Sequence, residues 1–381
     1  MSFSLIIGIG NTGTQIVKLL SQSPKISNCK MYAIDSVAMS ADMESVQNVK
    51  MIPVISDEKC GSGRSRERGA EMFKHHDSLG TFNELYDDAS QALQPIFVIT
   101  STAGGTGSGI TPELIKKIRS FDTTAESEER ENKYRFIPVL VFPSLEDPDA
   151  YHMNTSDLML DLQNAGIETY TVFRNKYGTA NYSKINQDIV NSIELILGKL
   201  YGDTNVDSID ESDLDVILSV PGRFISCIVE SEDPTKLKRL ITESALHSYQ
   251  PGWDPDDTKE GAIIYTAFDL CSPFAKDDFA DVFSDIRARI KHYHDEYKNI
   301  CEKDGKSSAS FIIAGLPNVE LKNINIDYDE TKGIADGAKR SKRPGFLSKK
   351  KPIMEQKITK TDETVKSQKT GLKGIDNYDW K

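Results

Sequence analysis

The chain has 381 residues, of which 38% are hydrophobic, and it carries a formal net charge of −12. A chain of this length can bury a sizeable core without disulfides or metals, and it contains no run approaching the roughly 20 apolar residues of a membrane span. Its five cysteines are scattered without a C-x-x-C pair, which excludes a cysteine-based zinc or redox motif and favours a reducing, cytoplasmic compartment.

Short apolar runs alternate with helical stretches through residues 1–178. The runs are Leu5–Ile9, Met31–Ile34, Met51–Ile55, Ile96–Thr100, Phe136–Phe142 and Thr169–Phe173. Several are continuous and rich in β-branched or aromatic residues, which is typical of parallel strands that are covered on both faces. We therefore predict a doubly wound, parallel-sheet α/β domain over this region.

Apolar residues recur at helical spacing between Tyr182 and Tyr201, which predicts one long central helix over residues 179–202. Strand-like segments and an amphipathic helix follow it. The strands are Arg223–Val229, Ala262–Phe268 and Ser310–Ala314, and the helix surrounds Phe279, Phe283, Ile286 and Ile290. These elements predict a smaller mixed α/β domain over residues 203–320.

Apolar residues become sparse beyond about Leu321, so residues 321–381 are predicted to be a disordered tail. Between Lys339 and Lys373 twelve Lys or Arg stand against three acidic residues, a local net charge of +9 that leaves −21 for the remainder. The predicted body is therefore acidic and the tail basic.

A first glycine-rich loop, Gly8–Gly13, follows the first predicted strand and opens a helix. Glycine there lets the backbone turn tightly and approach a phosphate, which the N–H groups and the positive dipole end of the helix attract. The same motif suits a dinucleotide-binding Rossmann domain, in which Asp35 after the next strand would bind ribose. It also suits a strand-to-helix turn without any ligand.

A second glycine-rich loop follows the strand at Ile96–Thr100. Residues 101–109 place four glycines among hydroxyl side chains, ahead of a helix that carries Leu114 and Ile115. Backbone N–H groups and hydroxyls in this pattern suit a diphosphate or triphosphate. A dinucleotide fold has no need of this second loop, and the loop lacks the lysine of a Walker motif.

Gly104–Gly109 resembles the GGTGSG signature of the tubulin/FtsZ superfamily, and Gly10–Ile16 resembles the first nucleotide loop of tubulin. The resemblance extends over residues 5–320 and implies a protein that binds GTP or GDP. It implies nucleotide contacts by Gly10, Asn11, Thr12, Gly13, Gln15, Gly104, Gly105, Thr106, Gly107, Ser108 and Gly109.

A third loop of the family, near the γ-phosphate, is matched by Gly61, Gly63 and Arg64. The resemblance implies that these residues also contact the nucleotide. For Arg64, as for the nearby Arg66 and Arg68, the alternative is a solvated charged face.

The ribose and the base have their own matches in the sequence. Glu146 resembles the ribose-binding acid of the fifth loop, although Asp147 and Asp149 compete for that role. Asn175 matches the residue that reads guanine, and Asn186 matches a second base contact, since a carboxamide both donates and accepts hydrogen bonds. The alternative for Asn175 is a plain turn residue.

In this superfamily the loop after the central helix of one subunit reaches the γ-phosphate of its neighbour, where its acids position the attacking water and metal. Asp210 and Asp213 keep the spacing of that acidic pair, and Asp207 offers a second register. The resemblance thus implies a Mg²⁺-assisted GTPase whose site is complete only in a head-to-tail homopolymer. The alternative is an acidic helix start, where carboxylates cap N–H groups and favour the dipole.

Gly61–Arg64 and Ile185–Ile189 resemble the divergent plasmid and phage tubulins of the TubZ and PhuZ type, whose filaments move DNA. We therefore expect a filament protein of the bacterial or phage-infected cytoplasm. Its basic tail is expected to contact DNA or a DNA-bound adaptor, unless it is only a solubilising linker. The alternatives are an FtsZ-like division or scaffold protein, a nucleotide-binding scaffold without hydrolysis, and an NAD-dependent oxidoreductase.

Overall fold

The computed structural model describes residues 3–24, 26, 28–36, 48–55, 61–122, 133–176, 182–201, 211–233, 250, 264–272, 293–302, 307–319 and 321. Three features of the sequence analysis lie outside these residues. They are the helix around Phe279–Ile290, the acids Asp207 and Asp210, and the tail beyond Leu321.

The described residues form strands and helices in a largely alternating order. The strands are β1 (Ser4–Ile9), β2 (Cys29–Asp35), β3 (Val49–Pro53), β4 (Leu93–Ser101), β5 (Phe136–Phe142), β6 (Thr169–Arg174), β7 (Gly222–Ser231), β8 (Ile264–Ser272), β9 (Tyr293–Glu302) and β10 (Ser307–Leu316). The helices are α1 (Gly10–Leu20), α2 (Arg66–Ser78), α3 (Asn83–Gln91), α4 (Gly105–Arg119), α5 (Asp149–Asn164), α6 (Ser183–Tyr201) and α7 (Glu211–Ser219).

These strands share one sheet in the order β3-β2-β1-β4-β5-β6-β7-β10-β8-β9. Strands β1 to β7 pair in parallel, whereas β10 runs antiparallel to both β7 and β8. The chain begins at β1, moves outward to β3, and then returns to place β4 on the other side of β1. The mostly parallel sheet with flanking helices confirms the predicted fold class.

Helices cover both faces of the parallel part of the sheet. On one face α1, α6 and α7 pack through Ile16, Ile189 and Ile217, which are fully buried. On the other face α2 to α5 pack, with Ile115 and Leu158 fully buried. Strands between two helical layers are buried on both sides, and this explains the continuous apolar runs of β1 and β5.

The predicted strands of residues 1–178 are all present, and the predicted central helix is α6. Strand β9 is not predicted by the sequence analysis, because its sequence is mostly polar, as suits a strand at the edge of a sheet. The sheet continues from β6 into β7, so the division of the body around residues 179–202 stays a prediction. Among the described residues, no helix combines the length and apolar character that a membrane crossing requires.

Candidate functional site

Two helix N-termini meet at the carboxyl ends of β1 and β4. These strands are parallel neighbours. Strand β1 leads directly into α1, and β4 leads into α4 through a short loop. A side-chain carbon at Gly10 would lie 3.4 Å from the backbone nitrogen of Gly107, so the two helix starts are adjacent. The helices lie on opposite faces of the sheet, and such a switch point creates a crevice suited to a ligand.

Neither helix start has a capping side chain. The N-cap residues, Ile9 for α1 and Gly104 for α4, have extended backbones and make no side-chain cap hydrogen bond. By contrast, α2 is capped by Ser65, whose hydroxyl accepts a hydrogen bond from the backbone N–H of Arg68. The first N–H groups of α1 and α4 lack intrahelical acceptors, and two positive dipole ends converge on one crevice. The arrangement favours an anion.

The glycines of this site differ in what surrounds them. A side-chain carbon at Gly13 would lie 2.3 Å from the carbonyl oxygen of Ile99, and one at Gly107 would lie 2.1 Å from Thr100 Oγ1. Gly13 therefore allows close packing on the backbone of Ile99, and Gly107 allows close packing on the side chain of Thr100 and the backbone of Ser101. At Gly104 no atom lies within 4 Å of the added carbon. Gly104 therefore keeps a space open at the start of α4.

Hydroxyl groups of the second glycine-rich loop bind other parts of the loops. Ser108 Oγ donates to the carbonyl of Gly104 at 2.5 Å. Thr106 Oγ1 is buried and lies 2.6 Å from Ser36 Oγ and 3.1 Å from Ser62 Oγ. These bonds hold the loops in shape and give both hydroxyls partners within the protein. Nucleotide contacts by Thr106 and Ser108 stay predictions.

The third loop, Gly61–Arg64, lies against the start of α4. A side-chain carbon at Gly105 would approach the carbonyl carbon of Arg64 to 2.5 Å. The loop contains three left-handed residues, Gly61 (φ 83°), Gly63 (φ 60°) and Arg64 (φ 67°). Arg64 pays a steric cost for this conformation because it has a side chain. The structure thus brings the predicted third loop to the second glycine-rich loop.

Arg66, next to this loop, connects three helices through its guanidinium. Its guanidinium donates to Asp161 at 2.5 Å and to the carbonyl of Ser108, and it also pairs with Asp157 at 3.3 Å. It therefore joins α2 to α4 and α5. This arrangement differs from both interpretations of Arg66 offered by the sequence.

In the fifth loop, between β5 and α5, the acids Glu146 and Asp147 make different contacts. The Asp147 carboxylate accepts a hydrogen bond from the backbone N–H of Ser144 at 2.8 Å and so stabilises the turn. Glu146 is exposed, accepts a hydrogen bond from the Ser144 hydroxyl, and lies near Arg174. Burial lowers the pKa of Arg174, and the negative charge of Glu146 opposes that shift. Asp149 begins α5. Glu146 therefore keeps an exposed carboxylate beside a positive charge.

Asn175 follows β6, and its backbone N–H donates to the carbonyl of Phe142 at 3.0 Å. Its side-chain oxygen is buried and has no hydrogen-bond partner in the structure. Such an acceptor is costly unless something donates to it. Asn186 is half-buried on α6, next to Ile185 in the core that α6 shares with α1. The exposed Gln15 lies on α1.

Two further residues are missed by the sequence analysis, one on α1 and one at the start of α6. Thr14 on α1 is only 4% exposed, and its hydroxyl has no hydrogen-bond partner in the structure. Tyr182 is 53% exposed, and its carbonyl accepts a hydrogen bond from the backbone N–H of Asn186, so it lies one helical turn before that residue. Thr14 lies inside Gly10–Ile16, the segment that resembles the first nucleotide loop of tubulin, so that resemblance is the signal that could have identified it.

Of the predicted acids, Asp213 lies among the described residues, and it is far from the crevice. Asp213 is in the first turn of α7, where the helix dipole favours a carboxylate. On the same helix Asp215 pairs with Arg135, which directly precedes β5 and bonds the side chain of Gln94 at the start of β4. Helix α7 thus lies at the amino ends of strands whose carboxyl ends face the crevice. Between the two ends runs α6, whose 19 residues span roughly 28 Å at 1.5 Å per residue.

Residues 64–194 match a family model described as "Tubulin like". No curated protein matches the chain by sequence. A GDP-bound monomer of CetZ1 from Haloferax volcanii has a TM-score of 0.62 at 19% identity, over 84% of this chain and 96% of that one.

Two other solved structures share the fold to a similar degree. An FtsZ dimer from M. jannaschii has a TM-score of 0.60 at 16% identity, over 85% of this chain and 95% of that one. A GTPγS-form protofilament of TubZ from Bacillus thuringiensis serovar israelensis has a TM-score of 0.59 at 16% identity, over 83% and 88%. Residues 64–194 are thus similar to the tubulin-like family, and the chain shares the fold of these CetZ, FtsZ and TubZ structures.

Proposed function

We propose that the protein binds GTP and GDP in the crevice between α1 and α4. The observation that carries this proposal is the meeting of two uncapped helix N-termini at the carboxyl ends of neighbouring parallel strands. The open space at Gly104 lets a phosphate chain approach both sets of N–H groups. The similar CetZ1 and TubZ structures are a GDP-bound form and a GTPγS form, which supports a guanine nucleotide.

The guanosine end of the nucleotide is proposed to lie toward β6 and the start of α6. The unpartnered oxygen of Asn175 suits the N–H groups on the guanine edge, and Asn186 offers a second carboxamide. The exposed ring of Tyr182 suits stacking on a purine. Glu146 is the proposed ribose ligand, and the Thr14 hydroxyl is an additional hydrogen-bonding group for the nucleotide.

We further propose that hydrolysis takes place between two subunits. Asp213 lies at the end of the molecule opposite the crevice, so it cannot reach a nucleotide bound to its own chain. Head-to-tail stacking would bring the α7 end of one subunit to the crevice of the next, with Asp210 and Asp213 beside the γ-phosphate. The GTPγS-bound CetZ2 and the GTPγS-form TubZ are protofilaments, which supports this mode of assembly.

Mg²⁺ is proposed to enter with the triphosphate. Within the described ranges, no group of three or more His, Cys, Asp or Glu side chains is arranged to hold a metal ion by itself. Mg²⁺ is commonly held by substrate phosphates, waters and only one or two carboxylates. The nucleotide phosphates and water molecules would therefore supply most of the Mg²⁺ ligands.

The cargo of the filament is proposed to be plasmid or phage DNA in the cytoplasm, reached through the basic tail. This part rests on the sequence resemblance and the charge of residues 339–373. The similarity scores do not favour it, since CetZ, FtsZ and TubZ resemble the fold about equally. An FtsZ-like division or scaffold role stays the alternative.

Release of the bound ligand tests the nucleotide proposal. Purified protein is denatured and the supernatant is separated by anion-exchange chromatography, and emptied protein is then titrated with GDP, ADP and NAD. We expect guanine nucleotide in the extract and preferential binding of GDP. Recovery of NAD, or preferential binding of NAD, would refute the proposal and support an oxidoreductase.

A further inference from the structure

We infer that Asn154 of α5 is a positioning residue that ties the third loop, Gly61–Arg64, to the second glycine-rich loop at Ser101–Gly104. The inference rests on the proposed function, because the third loop is expected to lie beside the γ-phosphate. It assigns to one side chain the task of holding together two loops that are distant in sequence.

The contacts of Asn154 are specific to its amide nitrogen. Nδ2 donates to the carbonyl of Ala103 at 2.9 Å and to the carbonyl of Arg64 at 3.2 Å. An NH₂ group has two hydrogens, so one donor group serves both loops at once. Because both acceptors are carbonyl oxygens, a carboxylate of the same shape at position 154 would repel them.

The third loop needs such support because its backbone is unfavourable. Gly63 and Arg64 both have left-handed φ angles, and at Arg64 this conformation costs energy that surrounding contacts must offset. Within the loop itself, the backbone N–H of Ser65 donates to the carbonyl of Ser62 at 3.2 Å. Asn154 adds a bond to the carbonyl of the strained residue itself.

Other residues of α5 hold the flanks of the same segment. The guanidinium of Arg64 lies over the ring of Tyr151, 4.9 Å from its centroid. About two to three turns beyond Tyr151 on α5, Asp157 and Asp161 pair with Arg66. Asn154 lies between these contacts on the helix. One face of α5 therefore fixes the third loop from its strained residue to the start of α2.

The consequence is a difference between the two nucleotides. A diphosphate would be held by the N–H groups at the starts of both α1 and α4, and only the start of α4 is described as packing against the third loop, so its binding should depend on that loop in part. A triphosphate adds a γ-phosphate beside Gly61–Arg64, and its binding depends on that loop being in place. Loss of the Asn154 bonds should therefore weaken triphosphate binding more than diphosphate binding.

The experiment titrates nucleotide-free protein with GTPγS and with GDP. The variants are Asn154→Asp, which keeps the shape but removes the donor, and Asn154→Ala. The matched control is Asn164→Ala, on the same helix with an exposed side chain. We expect both Asn154 variants to lose about tenfold in GTPγS affinity, the scale of one net hydrogen bond, with a much smaller loss for GDP and none in the control. Hydrogen exchange of the amides of residues 61–65 should also become faster in both variants.

Each other outcome has a defined meaning. Equal losses for GTPγS and GDP, or no loss at all, would overturn the role of Asn154 while leaving the proposed function intact. Wild-type protein that binds neither nucleotide would instead refute the proposed function. If one variant melts at a lower temperature than the control, the other variant and the exchange rates of residues 61–65 decide the question.

Discussion

Gly104 and Gly107 lie three residues apart in the second glycine-rich loop, yet a side chain would meet different surroundings at each. At Gly107 an added carbon would lie 2.1 Å from Thr100 Oγ1 and 2.8 Å from the carbonyl oxygen of Ser101. At Gly104 the space is open and the backbone is extended, with φ −81° and ψ 151°, a conformation open to any residue. The first glycine serves ligand access and the second serves packing.

This difference predicts opposite effects of two substitutions. Gly104→Asp should keep or raise the melting temperature, since an N-cap carboxylate binds the N–H groups of α4, but it should lower GDP affinity at least tenfold by occupying and repelling the phosphate position. Gly107→Ala should instead destabilise the fold by about 1–3 kcal/mol through overpacking. Thermal unfolding and GDP titration of both variants check this. Wild-type affinity in Gly104→Asp would show that phosphates do not bind there.

The exposed ring of Tyr182 is expected to contact the base of the nucleotide. Its ring is half exposed, so removing it should change stability little. If the ring stacks on guanine, Tyr182→Ala should weaken GDP binding by roughly tenfold, because stacking of one base on an aromatic ring is worth about 1–3 kcal/mol. Tyr182→Phe should bind like the wild type. A Tyr182→Ala variant with unchanged affinity would place the base elsewhere.

Local motifs predict part of this site and leave other parts hidden. The glycine-rich loops are recognisable because their residues are consecutive in the sequence. Asn154 is not recognisable, since its partners Arg64 and Ala103 lie 90 and 51 residues away along the chain. Its role depends on α5 packing beside both loops, which no local pattern indicates. Tyr182 was assigned only as the start of a helix.

At the scale of elements, α4 shows where sequence reasoning fails for a physical reason. Glycine disfavours helices, so the sequence analysis treats Gly104–Gly109 as a loop that precedes the helix. In the structure α4 begins at Gly105. A side-chain carbon at Gly109 would lie 2.3 Å from the carbonyl oxygen of Arg66, and one at Gly69 would lie 2.4 Å from that of Gly105. Close contact with α2 thus requires glycine within the helix, and this tertiary requirement overrides propensity.

The strands of the parallel sheet and α6 are predictable because buried positions in them are apolar and recur with the period of a strand or a helix. Strands covered on both faces are continuously apolar, and α6 packs with a regular helical stripe. The resemblance places Asp210 and Asp213 in the loop after the central helix, whereas in the structure α7 already begins at Glu211. Asp213 is consequently inside the first helical turn. Its catalytic role stays a prediction.

Two acids on α7 provide a matched test of that role. Asp213→Ala should lower GTP hydrolysis by roughly 10²-fold, the scale of a lost acid–base group, and leave GDP affinity unchanged. Asp215, on the same helix, pairs with Arg135, which precedes β5, so Asp215→Ala should affect stability slightly and hydrolysis hardly at all. Phosphate release and GDP binding are measured for both. Equal hydrolysis by the two variants would make Asp213 only a favourable first-turn charge.

At the scale of the whole molecule, charge is divided between body and tail. Deleting residues 339–381 should leave the melting temperature and the GTPase activity unchanged, while it removes a salt-sensitive association with DNA or an adaptor. DNA pull-down at increasing salt, with full-length and shortened protein, measures this. Equal DNA retention by both proteins would mean that the tail is a linker.

The two ends of the molecule carry different halves of the proposed GTPase site, and this permits a complementation test. Asp213→Ala keeps the crevice but lacks the acid, whereas Gly104→Asp lacks a working crevice but keeps Asp213. Each protein alone should be inactive. In a mixed head-to-tail polymer, an Asp213→Ala crevice can meet an intact α7 end from a Gly104→Asp neighbour. Random mixing at equal amounts should therefore restore roughly a quarter of wild-type turnover, because the interface is heterologous and about one junction in four combines both intact halves.

The restored activity should also rise steeply with total protein concentration, since the site exists only at a junction between subunits. Phosphate release is measured for each variant alone, for the mixture, and for the wild type over the same concentrations. A mixture as inactive as its components, together with wild-type turnover per subunit that is independent of concentration, would mean that hydrolysis takes place within a single chain.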